Sequence, residues 1–244
     1  MKAIYKTSKK IKKDYILLIL HCEKYKFNRI IQMDTYLKYL PQKINYYHII
    51  GNVNMKEEYI FNEEEKIIVV KSEDDYLHLP TKIVKAYEAI FATYDFKYIF
   101  KTDDTQICIY KDFFDDLINR LIKFEENDNK SHYGGYIVNV EKQKLCNHYK
   151  NHSELPNNRL LFPTIYCSGS FYYLSSDAIS DLMVKKEEFI KDYLEDYSIG
   201  YNLSNKFKKN MIHIPIEVIF LRYRNDYLLN SFDKKIVGKI KDYF

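Results

Sequence analysis

Lys97-Tyr-Ile-Phe-Lys-Thr-Asp-Asp-Thr105 is the stretch that decides the fold. Its apolar centre runs without a break into two carboxylates. A short continuous apolar run reads as a strand buried on both faces, as in a parallel sheet. In open α/β sheets ligands bind beyond the carboxyl ends of the strands. Asp103 and Asp104 therefore stand where chemistry belongs. Two adjacent acids suit a divalent cation carrying a nucleotide diphosphate, because hard cations take oxygen ligands. Taken alone the pair is weak, since turns and helix caps also use Asp. A phosphatase of the DxDx[TV] type is set aside, because the position two after Asp103 is Thr105.

Moving outward, the pattern on either side alternates strand and helix. Tyr15 to Cys22 reads as a buried strand and Phe27 to Leu40 as a helix stopped by Pro41, with Phe27, Ile30, Ile31, Leu37 and Leu40 on its apolar face. Ile44 to Ile50 and Lys66 to Lys71 read as strands. Pro80 opens a helix whose buried face is Ile83, Val84, Tyr87, Ile90, Phe91 and Tyr94. Beyond the acidic pair, Ile107 to Tyr110 is a short strand and Asp112 to Phe124 a helix. Strands follow near Tyr136 to Val140, Ser170 to Leu174 and His213 to Phe220, with helices near Asp177 to Val184 and Ser198 to Phe207. Strand-helix alternation of this kind predicts an α/β domain, with a mostly parallel central sheet flanked by helices.

Composition limits the alternatives. With 244 residues, 46% hydrophobic and 30% charged, the chain suits one compact globular domain and not a disordered tail or a disulfide miniprotein. It holds 25 Tyr and 15 Phe but no Trp, and 33 of its 38 basic residues are Lys, a bias expected of an AT-rich genome such as that of a large virus or an AT-rich microbe. The net charge of +4 is spread along the chain, which argues against nucleic acid as a partner. The one dense run, six Lys from Lys2 to Lys13, defines a basic N-terminal arm over residues 1–14. No apolar stretch reaches the roughly 20 residues a membrane span needs, and no signal-peptide core is seen. These features predict a cytoplasmic or viral location, or a place within a longer protein. Cys22, Cys108, Cys146 and Cys167 form no CxxC pair, so free thiols are expected.

Three further segments add to the acidic tip: Asp74-Asp-Tyr-Leu-His-Leu-Pro-Thr-Lys82, Tyr166-Cys-Ser-Gly-Ser-Phe-Tyr-Tyr-Leu-Ser175 and Glu195-Asp-Tyr-Ser-Ile-Gly200. Their order and spacing resemble the β-1,3-glycosyltransferases of the galactosyltransferase and Fringe type, glycosyltransferase family 31. That family shows D-S-Y-x-N-L-T-x-K, K-T-D-D-D, Y-C-S-G-x-G-Y-x-L-S and E-D-V-x-x-G in the same order. The likeness spans about residues 66 to 205.

The resemblance implies a GT-A fold over residues 15–244, with a nucleotide-sugar-binding half (15–110) and an acceptor-binding half (111–244). It implies a UDP-sugar donor, a glycan or glycoprotein acceptor, Mn²⁺ or Mg²⁺ as cofactor, and inversion at the anomeric carbon in one displacement, giving a β-1,3 linkage. By position, Asp103 and Asp104 would face the ribose, diphosphate and metal. Asp74 and Lys82 would line the nucleotide side, with Lys101 and Glu195 contributing to donor binding. Ser168 and Gly169 would form a close-approach turn by the sugar, and Asp196 would be the general base. Plainer readings stand beside these: Asp196 as a helix cap, Lys82 as a solvated surface charge, Ser168-Gly169 as an ordinary turn, and Phe171-Tyr172-Tyr173 as core strand.

Departures from the pattern qualify the expectation. The third acid of the family motif is Thr105, a weak neutral ligand, which lowers the expected metal affinity. His213, the only His after Asp196, comes too early for the family's metal-binding His, and Arg222 and Arg224 stand near the expected place. Guanidinium groups match phosphate oxygens, so they could take over part of the cation's work. The family's N-terminal Trp corresponds to Tyr36. The alternative reading is a non-catalytic glycan- or nucleotide-binding module that has kept the fold.

Overall fold

The computed structural model of the chain describes residues 9–222. Its first main strand, β1 (Tyr15–Leu20), consists of six apolar residues, every one buried. Such a strand cannot sit at an edge; it must have a strand on each side and a helical layer on each face. β2 (Ile44–Gly51) lies parallel on one side of it. A hairpin follows, β3 (Tyr59–Asn62) against β4 (Ile67–Val70), and β4 runs parallel to β2. β5 (Tyr98–Asp103) is the predicted acidic-tipped strand and lies parallel on the other side of β1. β6 (Tyr133–Val140), β7 (Thr164–Ser175) and β8 (Ile212–His213) complete a sheet of order β8-β6-β7-β5-β1-β2-β4-β3. The expected parallel pairing is found among β5, β1, β2 and β4. In the second half β7 runs antiparallel to both β5 and β6, so the whole sheet is mixed.

Helices cover both faces. Ile16, Leu18 and Leu20 point to the side holding α2 (Leu79–Thr93) and α4 (Ser176–Val184), where Ile83, Tyr87, Ile90, Ile179 and Leu182 are buried with them. Leu17 and Ile19 point to the side of α3 (Phe113–Glu126), against Phe114, Leu117 and Leu121. Burying each of these side chains stabilises the fold by about 1.5–3 kcal/mol before ordering costs.

Three elements depart from the sequence reading. The first helix, α1 (Lys26–Asp34), is shorter than expected, and only a single 3₁₀ turn, Leu37–Tyr39, follows it. It also turns a different face inward: Asn28 and Gln32 are buried, while Phe27 and Ile30 are exposed. The predicted helix at Ser198 to Phe207 is α5 (Glu195–Asn202), followed by a separate 3₁₀ turn, Asn205–Lys208. The predicted strand His213 to Phe220 is broken after β8 by Pro215, which cannot donate to a ladder and instead opens a helical turn, Ile216–Ile219. The chain then resumes as Phe220–Arg222, paired antiparallel with Gln106–Cys108. The basic arm is described only from residue 9, where Ile11–Lys12 pair in parallel with Tyr94–Asp95. Arg224 lies outside the described residues. All four cysteines are free thiols, as expected.

Candidate active site

The register of β1 against β5 pairs Leu20 with Asp103, so the two strands end side by side. Just past those ends the Asp104 amide donates to Leu20 O (3.0 Å), and His21 Nδ1 lies 2.7 Å from Asp104 Oδ2. Asp74 closes the same corner. Its Oδ1 accepts from the Gly51 amide (2.9 Å) at the end of β2 and from Lys82 Nζ (2.5 Å); its Oδ2 accepts from the Glu23 amide (2.9 Å). Burial alone would push this carboxyl up, but the charge and hydrogen bond of Lys82, with the two amides, hold it below the usual range. Lys82 is not a solvated charge: it is 1% exposed and also donates to His21 O (2.7 Å).

Lys101 is the centre of the site. Strand alternation turns it to the α2 and α5 side of the sheet, where it is 1% exposed. Its ammonium donates to Asp103 Oδ1 (2.7 Å), Gly169 O (2.7 Å) and Glu195 Oε2 (3.3 Å), and lies 5.4 Å from the Tyr172 ring centroid. Burial disfavours its charge, but Asp103, Glu195 and Asp196 outweigh that and raise its pKa. Lys101 stays an ammonium and ties the acidic tip of β5 to both later motifs.

Those motifs meet it through a bulge and a helix start. The pairing of β7 with β6 skips between Cys167 and Tyr172, which pushes Ser168-Gly169-Ser170 out toward Lys101. Thr102 Oγ1 donates to Ser170 O (2.8 Å), fixing the bulge to β5. A Cβ on Gly169 would stand 3.3 Å from Lys101 Nζ and 3.4 Å from Asp196 Oδ2, so an added methyl would press on the ammonium. Phe171, Tyr172 and Tyr173 are fully buried core, in line with their plainer reading.

The two acids that open α5 differ. Glu195 is buried, and it bonds Tyr172 Oη as well as Lys101; enclosure pushes its carboxyl up to about 7, against the pull of Lys101. Asp196 accepts from the Gly169 amide (2.8 Å) and the Tyr197 amide (2.7 Å) and is partly open to the cavity. Burial raises its pKa too, with the Gly169 amide and Lys101 pulling it back. It does not cap the helix in the usual way, since the N-cap position is Leu194.

Asp103, Asp104 and Asp196 line one cavity of about 710 Å³, together with Asp74, Lys82, Lys101, Ser168, Gly169 and Glu195. The nine residues carried over from the four motifs as donor-binding or catalytic therefore all reach the same space. Arg222 reaches it as well; His213 does not, and instead its Nδ1 accepts from the Ile137 amide at 3.4 Å. Sequence reasoning missed His21, Tyr76, His148 and His152, which also line it. His21 had a signal, being the first polar residue after a buried strand. His148 and His152 had none, since they belong to the irregular loop between β6 and β7. There His152 stacks on Tyr76, with ring centroids 3.8 Å apart.

A family model described as galactosyltransferase matches residues 12–214. The chain belongs to the galactosyltransferase family. This galactosyltransferase-family chain is accordingly a glycosyltransferase in general terms, with the GT-A type α/β fold the resemblance implied. Solved structures with similar folds include core-mannan synthase A from Aspergillus fumigatus in an Mn/GDP form, at 12% identity and TM-score 0.45, covering 86% of this chain and 74% of that one. Another is the inositol-1-phosphate CTP transferase from T. maritima, at 12% identity and TM-score 0.45, covering 94% and 96%. No curated protein matches the sequence. Among the described residues no helix is long and apolar enough to cross a membrane.

A divalent cation fits this family member's site only in part. Asp103 and Asp104 offer hard oxygen donors, but Asp103 Oδ1 is engaged by Lys101 and Asp104 Oδ2 by His21. Among the described residues no group of three His, Cys, Asp or Glu side chains is arranged to hold a metal. The donor set suits a cation that brings diphosphate oxygens and water with it, as one- and two-carboxylate sites do.

Proposed function

We propose that this protein transfers a sugar from a UDP-sugar to a hydroxyl of a glycan or glycoprotein, by inverting single displacement, in a β-1,3 linkage. The observation that carries the reading is the shared cavity of Asp103, Asp104 and Asp196, centred on Lys101. The strand-end half, residues 15–110, holds the donor: Asp103 and Asp104 would hold Mn²⁺ or Mg²⁺, and Asp74 with Lys82 shapes the nucleotide wall. When bound, the cation offsets the negative charge that develops on the departing diphosphate. Residues 111–244 receive the acceptor.

Asp196 takes the proton from the acceptor hydroxyl as its oxygen bonds to the anomeric carbon. The bond from that carbon to the phosphate oxygen breaks, and UDP leaves with the electron pair. Gly169 and Tyr197 amides hold the Asp196 carboxylate in place, so little reorganisation is left for the reaction. Its raised pKa strengthens it as a base. Glu195 is engaged by Tyr172 and Lys101 and serves to position them.

Screening UDP- and GDP-sugars for hydrolysis and transfer, beside calorimetry with UDP and Mn²⁺, tests the reading. UDP binding and turnover are expected in the wild type. Asp196→Asn should keep UDP binding and lose about 10²–10⁴-fold in turnover. UDP binding with no turnover of any donor, in the wild type, would favour the non-catalytic module, for which Thr105 in place of a third acid is the specific argument.

A further inference from the structure

Behind the acidic tip lies a group of buried polar side chains that the reaction above does not use. Gln32 of α1 and His48 of β2 are fully buried, and His21 is 2% exposed. The Gln32 amide nitrogen donates to two backbone carbonyls, Asp103 O (3.1 Å) and Gln106 O (2.8 Å). Those carbonyls bracket the turn that carries Asp104 and Thr105. Because its NH₂ faces two acceptors, the Gln32 oxygen must face the other way, where His48 Nε2 lies 3.0 Å off. His48 Nε2 is therefore the donor. Burial, with His21 and Arg29 nearby, pushes the His48 pKa well below the usual imidazole range, so the ring is neutral. His21 packs edge-on against His48, centroids 5.5 Å apart, and gives its Nδ1 hydrogen to Asp104.

This arrangement is costly for a core. His21 Nε2 and His48 Nδ1 are buried with no hydrogen-bond partner. Apolar residues would fill the same space with no orphaned nitrogen. It also explains why α1 turns Gln32 inward and leaves Phe27 and Ile30 in solvent. A chain that accepts these costs at one turn gains two things from them: a fixed backbone and a fixed carboxylate at Asp104.

We propose that His21, backed by the His48–Gln32 pair, is a positioning residue that holds Asp104 for the donor's diphosphate and its cation. This rests on the nucleotide-sugar reading above. With Thr105 supplying no third carboxylate, the site depends on one well-oriented Asp104 more than on the number of its acids. His21 acts through Asp104; its other ring nitrogen is sealed from the cavity.

The test compares variants of the full chain: His21→Asn, whose amide can replace the Nδ1 donor, His21→Leu, Asp104→Asn, and the double variant H21L/D104N. Binding of UDP with Mn²⁺ is measured by calorimetry, thermal unfolding by circular dichroism, and KM and kcat with the preferred donor. His21→Leu should weaken UDP·Mn²⁺ binding about tenfold and raise KM in proportion, with kcat changed less than about threefold. His21→Asn should restore binding to within about threefold, and H21L/D104N should bind no worse than D104N alone. Unaltered UDP·Mn²⁺ binding in His21→Leu overturns the proposal, as do losses of H21L and D104N that simply add. If His21→Leu does not fold, failure of His21→Asn to keep wild-type binding while it unfolds normally overturns it as well. A wild type that binds no UDP defeats the nucleotide-sugar reading itself, a result distinct from any of these.

Discussion

Glu195 and Asp196 are neighbours in sequence with separate duties, and pH can tell them apart. The Glu195 carboxyl moves from 4.5 to about 7 on folding because it is enclosed more completely than Lys101 can compensate. Between those values the folded chain keeps a proton that the unfolded chain gives up. Its contribution to stability is therefore full below pH 4.5 and is lost as the pH rises through about 7. Glu195→Gln keeps a partner for Tyr172 and cannot titrate. Over pH 4.5 to 8 the wild type should lose on the order of 3 kcal/mol relative to this variant, from urea unfolding at each pH. Parallel curves would mean that Glu195 is ionised throughout. Asp196 should appear in kinetics instead. Its raised pKa predicts that kcat/KM climbs with pH along a limb above the ordinary Asp value of about 3.9, and that Asp196→Asn removes the limb.

At the scale of elements, the bulge in β7 is the piece most tuned to the reaction. It brings a backbone carbonyl to Lys101 and a backbone amide to Asp196, both from Gly169. A methyl group there presses on Lys101 Nζ at 3.3 Å and sits at contact distance from Asp196 Oδ2, and both are tied by other bonds. Gly169→Ala should therefore cost roughly tenfold or more in kcat, since small displacements at a reacting centre are expensive. The same change should cost about 1 kcal/mol or less in unfolding free energy, as it lies at the open side of the sheet. Equal losses in both would make Gly169 a packing residue only. The sequence is legible where one force dominates. Six apolar residues in a row could only be the buried strand β1, and Pro80 could only open α2. It misleads where polar side chains enter the core for a purpose: periodicity puts Phe27 and Ile30 inside α1, whereas Gln32 is inside because two carbonyls of the acidic turn accept from its amide. The turn at Pro215 escapes a sequence reading for a simpler reason, as an apolar run of that length reads as strand until the missing amide is counted.

On the scale of the whole molecule, the sheet joins two kinds of strand geometry at β5. Its parallel side supplies strand ends, which gather His21, Asp74, Asp103 and Asp104. Its antiparallel side supplies the bulge and, by way of α4 and the short helix Lys186–Phe189 beyond it, the start of α5. Lys101 bonds to both sides and holds them together. The motifs are readable because each is local, and Arg222 is readable through its place after them, but the cavity walls at His148 and His152 are not, because they come from an irregular loop. Arg222 gives the last test. It is carried back to the cavity by the pairing of Phe220–Arg222 with Gln106–Cys108, on the stretch that directly follows the acidic turn. With two carboxylates already engaged by Lys101 and His21, Mn²⁺ alone should show no saturable binding near ~1 mM and should bind only with UDP. A guanidinium at the rim then shares the diphosphate charge. Arg222→Ala should raise the donor KM about tenfold, and it should make turnover more sensitive to EDTA than in the wild type. A strict Mn²⁺ requirement in the wild type, unchanged by Arg222→Ala and with the same donor KM, would show that the two acids hold the cation unaided.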